Sequence, residues 1–175
     1  MSNLLDNYKQ LTARVDALCA GISAALGEQI TCSAGCSSCC TAITVFPVEA
    51  AAMRAALDDM PAPQAAEIRR SIQEHAAGER CPLLHQHRCQ LYAARPIICR
   101  THGLPIVYTS DGQRNSDCCP LNLTETSALS GSSVVDIDKL NILLTAVNSI
   151  YLTQSNSSGL PDRLTIAEVV SGRPL

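Results

Sequence analysis

Nine of the ten cysteines in this chain fall into two blocks, and thiols clustered at short spacing are what a soft metal ion or an iron–sulfur cluster requires. The first block is Cys32, Cys36, Cys39 and Cys40; the second is Cys81, Cys89, Cys99, Cys118 and Cys119. Cys36 and Cys39 have the spacing that lets one turn aim both sulfurs at one ion, and Cys32 can reach from four positions further back. The adjacent pairs Cys39–Cys40 and Cys118–Cys119 are harder to place, because neighbouring side chains in extended chain point to opposite faces. Each pair therefore serves two metals, serves two atoms of one cluster, or has a member that is not a ligand. Two such doublets favour a site with more than one metal atom.

The charges around the second block support this reading. From Arg80 to Ser110 there is no Asp or Glu, while Arg80, Arg88, Arg95 and Arg100 all lie inside that stretch. Four thiolates on a divalent ion leave net negative charge, which arginines would offset; a solvated basic segment is the plain alternative. His85, His87 and His102 sit near Cys89 and Cys99 and could add imidazole ligands, although the cysteines alone supply enough. Other thiol chemistry fits less well. Ser38 stands where a radical S-adenosylmethionine loop carries an aromatic residue, and no strand–helix–strand pattern supports a thioredoxin-like pair. A nucleophilic pair of Cys89 with His87 is the remaining catalytic option.

The elements that must position these thiols are mostly helices. Leu4, Tyr8, Leu11, Val15, Leu18, Ile22 and Leu26 repeat at steps of three and four, which predicts a long amphipathic helix over 3–30. Cys19 lies on it, and its plain reading is a buried helix cysteine rather than a ligand. Pro47 suits the first turn of a second helix, VEAAAMRAAL, and a third is expected over 64–77, carrying His75 outside both cysteine blocks. Residues 80–120 are broken by Pro82, Pro96, Pro105 and Pro120. LYAA predicts one helical turn, and GLPIVYT a strand followed by a turn at 110–112. An exposed Ser/Thr-rich loop is expected over 122–133, then a helix from Asp136 to Leu152 and a short one over 165–170. The fold class expected is mainly α, with little β: a helical frame around two cysteine-rich, loop-dominated metal-binding segments.

A length of 175 residues predicts one domain, large enough to bury roughly 70% of its unfolded surface. With no Trp and one Phe, its core must be built from Leu, Ile, Val, Ala and Cys. The net charge of −3 argues against nucleic-acid binding. No apolar run has signal-peptide or membrane-span length, so the expected setting is cytoplasmic. Dense cysteine in that reducing compartment argues for metal rather than disulfides.

The same residues are similar to those of the YkgJ-like cysteine-cluster family, a domain associated with chelation of zinc or iron. The resemblance rests on Cys36, Cys39 and Cys40, on Cys81-Pro82-Leu83, and on Cys89, Tyr92, Arg95, Pro96, Cys99 and Arg100. It covers about residues 30–120 and departs at Cys32, which precedes Cys36 by four positions rather than three. Members of that family are often labelled iron–sulfur oxidoreductases, and flagellin lysine N-methylases carry a similar domain. The resemblance thus implies an iron–sulfur or zinc site, with oxidoreductase or methyl-transfer chemistry as one reading. A structural zinc module for protein interactions, or a metal-handling protein, is the other. The first ligands expected are Cys36, Cys39, Cys40, Cys81, Cys89 and Cys99, followed by Cys32, Cys118 and Cys119. Metal ions are the expected partners, with an unidentified protein partner or substrate and no membrane.

Overall fold

A computed structural model describes residues 4–32, 35–75, 78–124, 131–157 and 159–171. The first helix, α1 (Asp6–Leu26), follows the apolar stripe, burying Tyr8, Leu11, Val15, Ile22 and Leu26. It is shorter than the stripe suggested: Gly27 turns the chain at φ +53 into one 3-10 turn, Gly27–Gln29. Leu4 precedes the helix and Leu18 lies on its solvent side, at 42% and 44% exposure, so the buried face is narrower than the sequence implied.

A two-residue strand, β1 (Thr44–Val45), leads into α2 (Pro47–Asp58), and α3 (Ala62–His75) packs behind it. Pro47 occupies the first turn of α2, where a missing N–H costs nothing. The hairpin β2 (Leu84–His85) and β3 (Arg88–Cys89), a 3-10 turn at Tyr92–Ala94 and α4 (Ile97–Thr101) follow. Next come β4 (Ile106–Ser110) and β5 (Gln113–Asp117), joined through Asp111 and Gly112 with φ of +51 and +74. Positive φ at both central residues is the tight hairpin geometry for which Asp-Gly is suited. The strand at 106–110 was expected from the sequence; β5 was not, because QRNSD carries no apolar alternation. A short β6 (Val135–Asp136) pairs parallel to β4, and α5 (Ile137–Ser155), β7 (Leu164–Thr165) and α6 (Ile166–Val170) complete the chain. β7 pairs antiparallel with β1, so α2 and α6 spring from adjacent strands.

The chain is mainly α-helical. No described helix is long and apolar enough to cross a membrane. Two apolar clusters form. One joins α2, α3 and α6 around Met53, Leu57, Ile68, Ile72 and Val169; Cys81 and Cys89 pack against it. The other joins α1, α4 and α5 around Tyr8, Val15, Ile97, Leu144 and Tyr151; Cys19 packs against that one. The helix α2 spans both, through Val48 on one side and Met53 on the other.

Two buried polar side chains hold the start of α2. Asn148 on α5 accepts from the Val48 N–H at 3.1 Å, supplying one partner that a helix start lacks. Glu49, 3% exposed, accepts from the Phe46 N–H and from the Ile97 N–H, each at 3.0 Å. One carboxylate thus caps its own helix and the first turn of α4, the helix that carries Cys99. Burial raises the Glu49 pKa above its ordinary 4.5, against the pull of those two N–H groups and of Arg163 and Arg100.

Glu49→Ala is expected to lower unfolding free energy by about 2–4 kcal/mol, since two buried N–H groups lose their acceptor. Urea melts measure this, and Glu49→Gln, keeping one acceptor, should lose less. Because the folded pKa lies above the unfolded one, folded protein holds the proton more tightly. The Glu49 contribution is therefore largest below about pH 4.5 and falls as pH rises through the folded pKa. The urea midpoint of Glu49→Gln should lack that decline.

Candidate metal centre

The first cysteine block is held by a residue that the sequence places in an exposed loop. Asn122 is 2% exposed. Its Oδ1 accepts from the Thr31 N–H at 2.9 Å and from the Cys32 N–H at 3.2 Å. Its Nδ2 donates to the Gly103 carbonyl at 2.6 Å. The Thr31 hydroxyl donates to the Leu121 carbonyl, and the Leu123 N–H donates to the Gln29 carbonyl. One buried amide therefore fastens Cys32 to the segment that carries Cys118 and Cys119. Gly103, at φ +93, lies against Cys32: a Cβ there would meet its Sγ at 3.7 Å in a conformation that side chains disfavour. Of the rest of the expected loop, Thr124, Gly131 and Ser132 are exposed as expected, Leu123 is half-buried, Ser133 is buried, and 125–130 lie outside the described residues.

Backbone bonds join the two blocks directly. The Cys81 N–H donates to the Cys40 carbonyl at 3.1 Å, Thr41 forms a bridge with Arg80, and the Ala42 N–H donates to the Glu79 carbonyl at 2.8 Å. Arg80 donates to the Ser37 carbonyl at 3.0 Å. The β2–β3 hairpin sets Cys89 opposite Leu84 and turns through Gln86 and His87 at φ +47 and +62. Neither residue is glycine, so the turn carries backbone strain. Its His87 Nδ1 is 3.1 Å from the Ser37 hydroxyl, which ties the turn to the loop between Cys36 and Cys39.

The electrostatics sort the thiols. Cys32 interacts side chain to side chain with Cys36, and its pKa is raised by burial and then by Cys36, Cys39 and Cys119. Cys36 is lowered, chiefly by its hydrogen bond with the Ser38 hydroxyl. The Cys40 thiol is raised by burial and then by Cys81, against a lowering pull from Arg80. Burial pushes Cys89 up to about 11, with Cys81 and Cys40 adding to it. Cys99 as a residue is exposed, yet the atoms crowded around its sulfur push it up to about 12, followed by Cys81, Cys89, Cys40 and Cys39. The thiols act on one another as one connected set, running from Cys32, Cys36, Cys39 and Cys119 to Cys40, Cys81, Cys89 and Cys99, with Cys36 raising Cys40 and Cys39 raising Cys99 across the doublet. Cys39 is raised by burial and then by Cys40, so the doublet is the junction. Cys118 spends its backbone N–H on the Asp117 carboxylate.

These groups are gathered but not closed. Among the described residues no three His, Cys, Asp or Glu side chains stand in ion-holding geometry. The donor set nevertheless fits a soft metal. Arg95 Nε is buried without an acceptor, and Arg95 lies close enough to Cys89 to lower its pKa. A thiolate at Cys89 would supply the missing acceptor, and metal binding is what replaces a thiol proton at neutral pH.

The arginine cover is less free than the acid-free stretch implied. Asp16, on α1, pairs with Arg100 and lies 3.8 Å from Arg95. Arg95 also stacks on Tyr92, 4.2 Å from the ring centroid. Arg80 and Arg95 lower the neighbouring Cys40 and Cys89, while Arg88 is exposed. Half-buried Cys19 borders a hollow of about 370 Å³ with Cys32, Arg95 and His102. Asn122, Glu49, Gly103 and Asp16 were not found from the sequence. Only Gly103, a glycine among cysteines, left a local signal.

The sequence model of the CxxCxxCC family, described as "Putative zinc- or iron-chelating domain", matches residues 31–120. No curated protein and no solved structure matches the chain.

Replacing Asn122 by Ala frees the Cys32 segment without removing a thiol. Zinc affinity measured by chelator competition should fall about 10–100-fold, as for other residues that orient a ligand from outside. An unchanged affinity would show that Asn122 serves folding alone.

Proposed function

We propose, because the chain belongs to the CxxCxxCC family of zinc- or iron-chelating domains, that its two cysteine blocks jointly hold two metal atoms. The proposed ligands are Cys32, Cys36, Cys39 and Cys119 for one, and Cys40, Cys81, Cys89 and Cys99 for the other, within one domain. The observation that carries this reading is that the Cys39–Cys40 doublet meets both blocks, with Cys36 acting on it from one side and Cys81, bonded through its N–H to the Cys40 carbonyl, from the other. Adjacent side chains diverge, so a doublet suits two neighbouring ions better than one. Cys118 is left as the spare member of its pair.

Such a site can serve either reading of the family. Iron at these thiolates supplies one-electron chemistry, whereas zinc closed by four thiolates is redox-inert and holds loops together. The cysteine-rich segments carry only short pieces of regular structure, which suits the second role: metal would fix what local hydrogen bonding alone does not. Oxidoreductase or methyl-transfer activity needs the first.

Metal and sulfide analysis of anaerobically purified protein tests the proposal. About two metal atoms per chain are expected, with Cys39→Ser and Cys40→Ser each lowering the count by about one. A folded, stable, metal-free protein from that preparation would sink the reading. Iron with acid-labile sulfide selects the redox role; colourless protein with zinc selects the structural one.

A further inference from the structure

Behind α4, on the face of that helix opposite Cys99, lies a half-open cavity of about 660 Å³. It lies between α4, α5 and the β1–β7 clip, and its walls are mostly apolar: Ile97, Ile98, Leu140, Leu144 and Ile166. Ile97 and Thr101 are one helical turn apart and share this wall, while Arg100 reaches the opposite way to Asp16. The volume falls within the roughly 300–1,000 Å³ of pockets that take small organic ligands.

Arg163 stands at the same cavity. Its guanidinium lies over the Phe46 ring, 4.1 Å from the centroid, and one N–H donates to the Thr44 carbonyl at 3.3 Å. Among the described residues no carboxylate lies within ion-pair distance of it. Stacking and the Thr44 bond fix the plane of the fork, and the remaining donors can meet a carboxylate edge-on. The other charged group in the wall is Glu49, whose two oxygens are already taken by the Phe46 and Ile97 N–H groups. Arg163 acts on that buried carboxylate from beyond ion-pair distance, and it is the one cation among the described wall residues.

We propose that this cavity binds a small amphipathic carboxylate, its apolar body against Ile97, Ile98, Leu140, Leu144 and Ile166 and its carboxylate on Arg163. Interiors close-pack, so an apolar hollow of this size forgoes contacts that such a body would restore. A hydrocarbon without charge would leave Arg163 unused, and a cation would meet it as a like charge. Among the described residues no cysteine lines the cavity, although Pro82 and Ala42 in its wall lie one and two positions after Cys81 and Cys40. The cavity shares α4 with Cys99, so an occupant would rest on the far side of the helix that presents that thiol.

The test is a methyl NMR titration of the full metal-loaded chain with decanoate, kept below its micelle concentration, and with decanol as the uncharged match. Decanoate should shift the Ile97, Ile98, Leu140 and Leu144 methyls saturably and bind about tenfold more tightly than decanol. Arg163→Gln should erase that preference and Arg163→Lys should retain part of it. Ala42→Trp, at the cavity wall, should block both probes. Absence of saturable shifts, equal affinity for the two probes, or decanoate binding indifferent to Arg163→Gln would each overturn the proposal. Metal content measured on the same samples keeps this outcome distinct from that of the metal site.

Discussion

Thiolates repel one another, and a sulfur crowded by protein resists ionisation, so cysteines gathered around one doublet resist losing their protons together. The rest of the structure is arranged around this constraint. Cys89 and Cys99, the most strongly dehydrated of the set, are pushed up to about 11 and about 12. Arg80 and Arg95 offset only part of the repulsion, because Asp16 engages the Arg95–Arg100 pair from α1. A guanidinium wholly committed to thiolates would favour ionisation before metal arrived. One shared with Asp16 offsets thiolate charge less.

Neutral thiols attract each other little, so their gathering must be arranged by the backbone. Three devices do this. Asn122 ties the Cys32 end to Gly103 and to the stretch after Cys119. The Cys40–Cys81 backbone bond and the Thr41–Arg80 bridge tie the two blocks. Glu49 ties α4, with Cys99, to the start of α2. Each is a buried or strand-like hydrogen bond between segments far apart in sequence, and each acts on the main chain beside a cysteine rather than on its sulfur. The main chain beside the cysteines is thereby held in place.

This explains what could be read from the sequence. The helices α1, α2 and α5 were legible because burial on one face leaves a period that survives in the residue order. So were the cysteine blocks, whose spacing is itself the chemistry. Glu49 and Asn122 were not, because a buried polar residue looks like a surface one until its partners, Ile97 and Cys32, are brought from 48 and 90 positions away. Leu18 shows the opposite error: an apolar residue in phase with the stripe that lies just outside its buried width. β5 escaped for a third reason. Its residues have little strand preference, and it forms because the Asp111–Gly112 turn folds it back on β4.

The two apolar clusters finally bear on what the metal would do for the fold. Each is built from aliphatic side chains with few aromatics, and the cysteine segments run along their edges, with Cys81 and Cys89 on one cluster and Cys19 on the other. Whole domains are stable by only about 5–15 kcal/mol. Tetrahedral zinc sites contribute about 10–16 kcal/mol of apparent binding free energy, the same order as that entire margin. Metal bound across the two blocks would therefore act on the fold as a whole. The helices could form around their own clusters, yet the chain from Cys32 to Cys119 would reach one arrangement only when its thiols give up their protons together.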